Sequence, residues 1–569
     1  MSGPHPGPLR NVPAVARAAA AALLTVFVLQ ASWAARRDSV TIDEFVHLPL
    51  GLHNLYTGDF RVDPINPPLS RMIAAAPLLL DPPSFAPDPA AGHWGMGYDL
   101  MKRNVERYQE IFYSARMMIV AVGCLLGLIV FVWATSLYGW QAGLVALALF
   151  CFSPSMLAHT HLVTLDLCGA CGFAATAWAV WALLDRPSRV RASIVGATVG
   201  VATLLKLSGF VLGAVVVTGV VIRAIRESRH GPSPATWFGM LVIAGLTALV
   251  VLNVGYGFEG TFASLADATL DERGRLAALV AAVPWLRLPV PLPLVNGIDM
   301  VLNVGKQADP SYFLAGELSA DGWWYYHLAA FAPKTPIPLL LACAGAMLAW
   351  AAGRGPGRRE YCLYVPVLIV FASNSLFNSL QIGVRHVLPV YPLLFVGVSP
   401  WVARGLTWAA AGMRMRRASR VRAVAAGVTV VGLLWYVAGT LWVGPRYLQY
   451  FNEAAGGAAG GHQMLVDSNI DWGQDLIRLS EYMERESIDL VNLAYFGRVH
   501  PSVYGVRFVP LERGRSHGKT VVSASFLMGR PYFWYDGDRM RWMKSGTYSW
   551  LQELEPVDRV GSMFVYDLP

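Results

Sequence analysis

The stretch Asp38-Ser-Val-Thr-Ile-Asp-Glu-Phe-Val-His47 follows directly on an apolar run at residues 12–35. It sets two adjacent carboxylates, Asp43 and Glu44, just past the end of a segment long enough to cross a bilayer, for which roughly 20 residues suffice. Ionised groups are costly in hydrocarbon and cheap at its edge. Acids held at that depth can therefore meet both a lipid-borne substrate and water, and the stretch reads as an active site at a membrane surface. On the residues alone a plainer reading stays open, because acids also favour a helix N-terminus on an exposed loop.

Outward from this point the chain is strongly apolar. Of its 569 residues 55% are hydrophobic and 14% charged, with a mean hydropathy of +0.44; a soluble chain could not bury that much apolar surface. Further long runs with almost no charge lie at 115–137, 140–156, 167–184, 192–205, 207–225, 236–256, 336–352, 361–378, 387–402 and 423–443, about eleven spans with the first. The formal charge of +8 does not point to nucleic acid, because its arginines fall in short segments between spans, as the cytoplasmic bias of basic residues requires. An N-terminus inside sends Arg186, Arg189 and Arg191, Arg223, Arg226 and Arg229, Arg354, Arg358 and Arg359, and the cluster from Arg404 to Arg422 to the cytoplasm. Lys206 interrupts the run 192–225, which reads as a short re-entering pair of helices meeting at the outer face.

Three large stretches then lie outside. The first, 36–114, holds catalytic-site acids, proline-rich turns and two amphipathic helix candidates, 69–80 and 101–112, that suit a surface-lying cap. The second runs from 258 to 333. The third, 444–569, alternates apolar runs at 464–466, 490–496, 506–509, 520–527 and 563–566 with helical patterns at 474–485 and 548–554, the signature of a small α/β domain. Residues 1–443 form the membrane domain on this division. The six cysteines lie in or beside spans, so Cys168-x-x-Cys171 is packing rather than a redox or zinc pair. The first span exceeds the apolar core of a cleaved signal and is kept as an anchor.

Several stretches stand out in order along the chain: Thr41-Ile-Asp-Glu-Phe-Val-His47; Gly58-Asp-Phe-Arg61 with Asn66-Pro-Pro68; Ala158-His-Thr-His-Leu-Val-Thr-Leu-Asp166; Lys206; Trp323-Trp324 with Lys334-Thr-Pro-Ile-Pro338; and Gly383-Val-Arg-His-Val-Leu-Pro389. In these the chain resembles the polyprenyl-phosphate-dependent membrane glycosyltransferases, the family 39-like group that holds protein O-mannosyltransferases and the lipid A aminoarabinose transferase. Tyr450-Phe-Asn-Glu453 and Asp467-Ser-Asn-Ile-Asp-Trp-Gly-Gln-Asp475 resemble a bacterial branch of it. The resemblance implies an α-helical polytopic fold of the GT-C type with a C-terminal extracytoplasmic α/β domain, in the inner or plasma membrane. It also implies a sugar on a polyprenyl phosphate, hexosyl, pentosyl or mannosyl, attacked by a hydroxyl of a protein, lipid or glycan with inversion at the anomeric carbon.

A lipid phosphate is already a good leaving group, so one base and a cationic cradle suffice, whereas glycoside hydrolysis needs two carboxylates. Asp43 would take the hydroxyl proton, and Glu44 would orient the acceptor or tune Asp43. Lys206, Lys334 and Arg385 stand at predicted outer ends of spans, where they suit the departing phosphate and equally suit snorkelling. Asp166, His47, His161 and His386 are the secondary or acceptor-side candidates. His159-x-His161 with Asp166 leaves a divalent cation open, since alternate loop residues converge only if the fold bends them. Asp59, Arg61 and Asn66 suit a cap over the donor, the aromatic run 323–326 an interfacial belt. Asp467-x-Asn469-x-Asp471 opens like a calcium loop, but Arg478 stands where the closing glutamate belongs. A transporter or flippase of lipid-linked sugars would want charges at span centres and repeated halves. A non-catalytic envelope scaffold would place binding in the C-terminal part.

Overall fold

The computed structural model describes residues 12–226, 231–271, 274–303, 311–353, 360–377, 380–412, 420–513 and 516–569. Arg229, Arg354, Arg358, Arg359 and the middle of the Arg404–Arg422 cluster lie outside the described residues, as does part of the second loop.

Most of the chain is helical. Helix α1 (Ala14–Arg37) leads into α2 (Glu44–Thr57), α3 (Pro68–Ala75) and α4 (Gly92–Arg103), which make the first loop a helical cap. The helices that follow are α5 (Tyr108–Tyr138), α6 (Trp140–Cys151), α7 (Pro154–Thr160), α8 (Leu165–Asp185), α9 (Arg189–Leu205), α10 (Leu212–Arg226) and α11 (Pro234–Gly255). After α12 (Arg275–Ala282) and α13 (Leu292–Asn303), the hairpin β1 (Tyr312–Leu314) and β2 (Glu317–Ser319) precedes α14 (Tyr326–Lys334), α15 (Ile337–Ala351), α16 (Tyr361–Phe377), α17 (Val390–Gly412) and α18 (Arg420–Val443).

Helical segments cover all eleven expected runs, but not as eleven straight crossings. Among the described residues seven helices are long and apolar enough to cross a membrane, and up to nine if each of two bent pairs is one span. The pair α6–α7 is bent by 62° and the pair α14–α15 by 118°. Both bends have local causes. Ser153 caps α7 with its hydroxyl and Pro154 opens that helix, while Thr335, ahead of Pro336, is driven to the extended φ −110°, ψ 129° that a following proline favours. At Lys206 the chain leaves α9 and folds back over its last turn: a Cβ on Gly209 would stand 2.6 Å from the Ala202 carbonyl. Helix α9 crosses α11 on Gly196 and Gly200, where a Cβ at Gly196 would lie 2.1 Å from the Ala244 oxygen, the close backbone approach that small residues allow in membranes.

The helix expected at 101–112 is divided instead between the end of α4 at Arg103 and the start of α5 at Tyr108. Asn104 stops α4 by donating its side-chain amide to the carbonyls of Leu100 and Ser84, 2.8 and 2.7 Å away.

The C-terminal segment builds a five-stranded sheet on α20 (Leu476–Arg485), with α19 (Gly457–Gly460) and α21 (Ala524–Leu527) as short turns. Helix α20 buries Leu476, Leu479, Tyr482 and Met483, one apolar face. Strands β3 (Val491–Ala494), β4 (Phe508–Pro510), β5 (Gly518–Ser523), β8 (Asp558–Val560) and β9 (Met563–Leu568) pair in the order β4-β3-β5-β9-β8, with β3 parallel to both neighbours and β9 antiparallel to both of its own. A separate hairpin joins β6 (Tyr532–Asp536) and β7 (Arg539–Met543). The apolar core runs without a break from the spans into this sheet.

Candidate active site

Asp43 and Glu44 face different surroundings although they are neighbours. Glu44, the first residue of α2, is fully buried, and both its oxygens are taken. Arg116 of α5 donates to them from Nε and Nη2 at 2.8 and 2.7 Å, Val163 N at 2.9 Å, and Thr41 N and Oγ1 at 3.0 and 3.1 Å. Arg116 also donates to the carbonyls of Ala35, Asp38 and Ser39. This pair ties the end of α1 to α2, α5 and the α7–α8 turn, so Glu44 has no oxygen left for an acceptor. Its contacts are those of an anchor, and sequence could not show them, since its main partner stands 72 residues on.

Asp43, by contrast, keeps 24% of its side chain accessible. Arg385, from the turn ahead of α17, donates Nη1 to its Oδ2 and holds the same nitrogen 3.7 Å from Asp166 Oδ2. Asp166, in the first turn of α8, in turn accepts Lys206 Nζ at 2.5 Å. Four groups from the N-cap of α2, α8, the α9–α10 turn and the turn before α17 thus form one alternating chain of charge, Asp43, Arg385, Asp166 and Lys206. The Arg385 guanidinium lies 4.5 Å from the centre of the Trp472 ring, and His159 meets that ring edge-on at 6.2 Å. Burial alone would weaken the Arg385 cation, yet Asp43 and Asp166 raise its pKa above the ordinary value.

His47 lies one turn beyond Asp43, with Nε2 3.9 Å from Oδ2 and Nδ1 without a partner among the described residues. Burial holds its pKa below the usual value against the pull of Asp43, which keeps the ring neutral. His386 likewise is held low, by burial first and then by Lys206 and Arg385; its Nε2 is buried without a partner among the described residues, and its ring packs against His327 at 5.6 Å.

Two further candidates are placed elsewhere. Lys334 is buried and donates Nζ to the carbonyls of Leu448, Tyr450 and Asn469 at 2.9, 2.6 and 2.7 Å, over the Phe451 ring. With three backbone acceptors Nζ joins α14 to the C-terminal segment, apart from the Asp43–Arg385–Asp166–Lys206 chain. His161 is fully buried between Leu157 O at 2.7 Å and Asp38 Oδ2 at 2.8 Å. Asp38 also accepts Arg478 Nη2 at 2.6 Å; burial would raise its carboxyl, but Arg478 and His161 hold it below the usual range. Asp59, Arg61 and Glu259 pair at the surface, with Arg61 Nη2 2.8 Å from Asp59 and Nε 3.4 Å from Glu259. Arg61 and Glu259 edge a cavity of about 440 Å³ whose lining includes none of the four linked charges. Asn66 donates to Asp63, which pairs with buried Arg71. Among the described residues no three His, Cys, Asp or Glu side chains gather as metal ligands.

The segment 467–475 is woven into this site. Ile42 N donates to Trp472 O at 3.1 Å and Ser39 N to Gln474 O at 2.9 Å, while Ser39 Oγ reaches Gly473 O at 2.9 Å. On the other side Asn469 Oδ1 accepts Val384 N at 3.0 Å, next to Arg385. Its acids are internal: Asp467 pairs with Arg530, and Asp475 accepts from Arg478, Gln449, Gln474 and Ser562. Asp471 is pushed up to about 7 by burial and the neighbouring Asp475 carboxylate, against the hydrogen bonds of Ser525 and Ser562. The Arg116 and Trp472 contributions escaped the sequence reading; the lone arginine one residue into an apolar run was a usable signal for the first.

Solved structures offer counterparts for the course of the chain. ArnT from Cupriavidus metallidurans bound to undecaprenyl phosphate aligns over 96% of this chain and 97% of its own at 14% identity, TM-score 0.47. The Archaeoglobus fulgidus oligosaccharyltransferase in its apo form aligns over 92% and 74% at 10% identity, TM-score 0.44. Arabinosyltransferase EmbB from Mycobacterium smegmatis aligns over 78% and 39% at 10% identity, TM-score 0.37. No family model matches the sequence, and no curated protein matches it.

Proposed function

We propose that the chain is an inverting glycosyltransferase that moves a sugar from a polyprenyl-phosphate donor to an acceptor hydroxyl at the outer face of the membrane, with its N-terminus in the cytoplasm and residues 444–569 outside. The observation that carries this reading is the contrast within the acidic pair: Glu44 is sealed by Arg116, whereas Asp43 is partly open and linked through Arg385 to Asp166 and Lys206.

In the resting site Arg385 is engaged by Asp43. An arriving donor phosphate competes for Arg385 and Lys206, both of which then neutralise it, and the Asp43 carboxylate is freed to accept a proton. The acceptor hydroxyl gives that proton to Asp43 as its oxygen bonds to the anomeric carbon. On the opposite face the bond from that carbon to the phosphate oxygen breaks, and the electron pair leaves with the polyprenyl phosphate onto the two cations. His47 lies beside this carboxylate, with Nε2 3.9 Å from Oδ2. His386 sits behind Lys206 and Arg385 as an uncharged wall, so it adds no charge to the phosphate site.

Asp166 lies in the first turn of α8, Lys206 follows α9, and Arg385 precedes α17, so the charged site is built from helix ends. Replacing Asp43 by Asn tests the reading in reconstituted protein supplied with lipid-linked sugars. Transfer falls by about 10²- to 10⁴-fold, the usual worth of a positioned base, while insertion and melting stay at the wild-type values. Transfer undiminished in that variant refutes the role of Asp43. Mass analysis of envelope lipids and proteins with and without the chain identifies sugar and acceptor.

A further inference from the structure

Arg498 stands apart from the other buried arginines of this region. Arg71 faces Asp63, Arg116 faces Glu44, Arg385 faces Asp43, Arg478 faces Asp38 and Arg530 faces Asp467. Arg498 is 6% exposed, and among the described residues no carboxylate lies within ion-pairing reach of it. Its guanidinium is boxed by rings, with Trp94 at 3.9 Å, Phe533 at 4.5 Å and Tyr532 at 5.1 Å from their centres. Nε spends its proton on the Tyr532 hydroxyl at 3.3 Å, and the Tyr535 hydroxyl fixes the backbone by donating to the Arg498 carbonyl at 2.8 Å. The two terminal nitrogens donate to nothing among the described residues.

A buried cation is costly unless it is paired. Ring faces offset part of that cost while leaving the edge of the guanidinium free, and that edge is the two-pronged donor that fits phosphate and carboxylate. The box is next to the chemistry. Trp94 packs against Phe45, two residues past Asp43, at 6.4 Å, and Tyr532 lies within electrostatic reach of Asp43, Asp467 and Arg498 together. Lys206 and Arg385 already provide for one anion, the donor phosphate. We infer that Arg498, held between α4 of the first loop and the β6 region of the C-terminal segment, is a second anion site, which receives a phosphate or carboxylate group borne by the acceptor. The inference rests on the glycosyltransferase reading and names its acceptor class: an anionic envelope lipid or glycan, its hydroxyl turned toward Asp43.

The test uses the full chain in phosphatidylcholine nanodiscs, with undecaprenyl phosphate as probe of the donor site and dihexanoyl phosphatidate and inorganic phosphate as probes of the second, followed by calorimetry. Wild-type protein is expected to bind phosphatidate and undecaprenyl phosphate together. Arg498→Gln weakens phosphatidate at least tenfold and undecaprenyl phosphate less than twofold; Arg385→Gln does the reverse. Phosphatidate bound equally by wild type and Arg498→Gln overturns the site, and inorganic phosphate bound as tightly as phosphatidate overturns its assignment to the acceptor. If the glutamine variant does not fold, Arg498→Lys, which keeps the charge and loses the fork, decides: a three- to tenfold weakening supports the site and wild-type affinity overturns it. Failure of undecaprenyl phosphate to bind wild-type protein sinks the donor reading instead, and the phosphatidate arm still judges Arg498.

Discussion

Two adjacent acids at the edge of a span were visible in the sequence as a pair, and the structure separates them by what surrounds each. Asp43 was legible because a carboxylate just outside hydrocarbon has few uses. The anchoring of Glu44 and Lys334 was not, since their partners lie 72 to 135 residues away and hydropathy carries no record of such pairings. Glu44→Gln should accordingly behave unlike Asp43→Asn. It leaves Arg116 buried without its counter-charge, a loss of roughly 3–5 kcal/mol, and appears as a lowered melting temperature with loss of membrane-inserted protein. A normal melt with abolished transfer would return Glu44 to the chemistry. Asp471 supplies a pH test. Its folded pKa of about 7 stands above the ordinary 3.8, so the folded chain keeps a proton that the unfolded chain releases between these values. Its contribution is complete below pH 3.8 and declines as pH climbs to 7, by roughly 4 kcal/mol at most. Asp38 acts in the opposite sense, its lowered pKa costing stability only in stronger acid. Melts recorded from pH 5 to pH 8 should therefore fall in the wild type and flatten in Asp471→Asn.

Hydropathy located the helices because each apolar run is its own signal, and it missed how they bend because a bend depends on one or two polar or proline residues inside an apolar average. Ser153-Pro154 and Thr335-Pro336 carried that information locally. The β6–β7 hairpin was also announced, by the two-residue loop Gly537-Asp538 with Gly537 at φ 64°, a loop with glycine in its first position as tight hairpins favour, but its aromatic and charged strands alternate too weakly to stand out. Element packing can be tested at the α9–α11 crossing. Gly196→Val forces a side chain into the space of the Ala244 carbonyl, and overpacking of this kind costs about 1–3 kcal/mol. The variant should melt earlier and, because Lys206 hangs from the end of α9, bind undecaprenyl phosphate more weakly. Unchanged melting would mean that the two helices do not pack on this face.

Over the whole molecule, the division into a membrane part and an appended C-terminal part conceals a dependence that runs both ways. Segment 467–476 supplies Trp472 beneath Arg385 and accepts hydrogen bonds from Ser39 and Ile42, on either side of Val40 and Thr41 and just ahead of Asp43. The membrane part answers with Lys334, whose three donors hold the chain at 448, 450 and 469. The sequence marked 450–453 and 467–475 as motifs but not what they meet, because pairings with residues more than 100 positions away leave no local pattern. A scaffold with a separable binding domain would tolerate removal of residues 444–569 with its spans intact. Here removal strips Lys334 of all three acceptors, leaving a buried charge unpaired, so the truncated chain should fail to accumulate in the membrane and should not be rescued by the missing piece supplied in trans. Trp472→Ala isolates the catalytic share of that dependence. The loss of a ring over a guanidinium costs about 0.5–2 kcal/mol, so transfer should fall by up to about 30-fold through weaker donor binding, with KM rising more than kcat falls. A Trp472 variant with wild-type kinetics would show that Arg385 is positioned by Asp43 and Asp166 alone, and that the C-terminal part serves the site only as a frame.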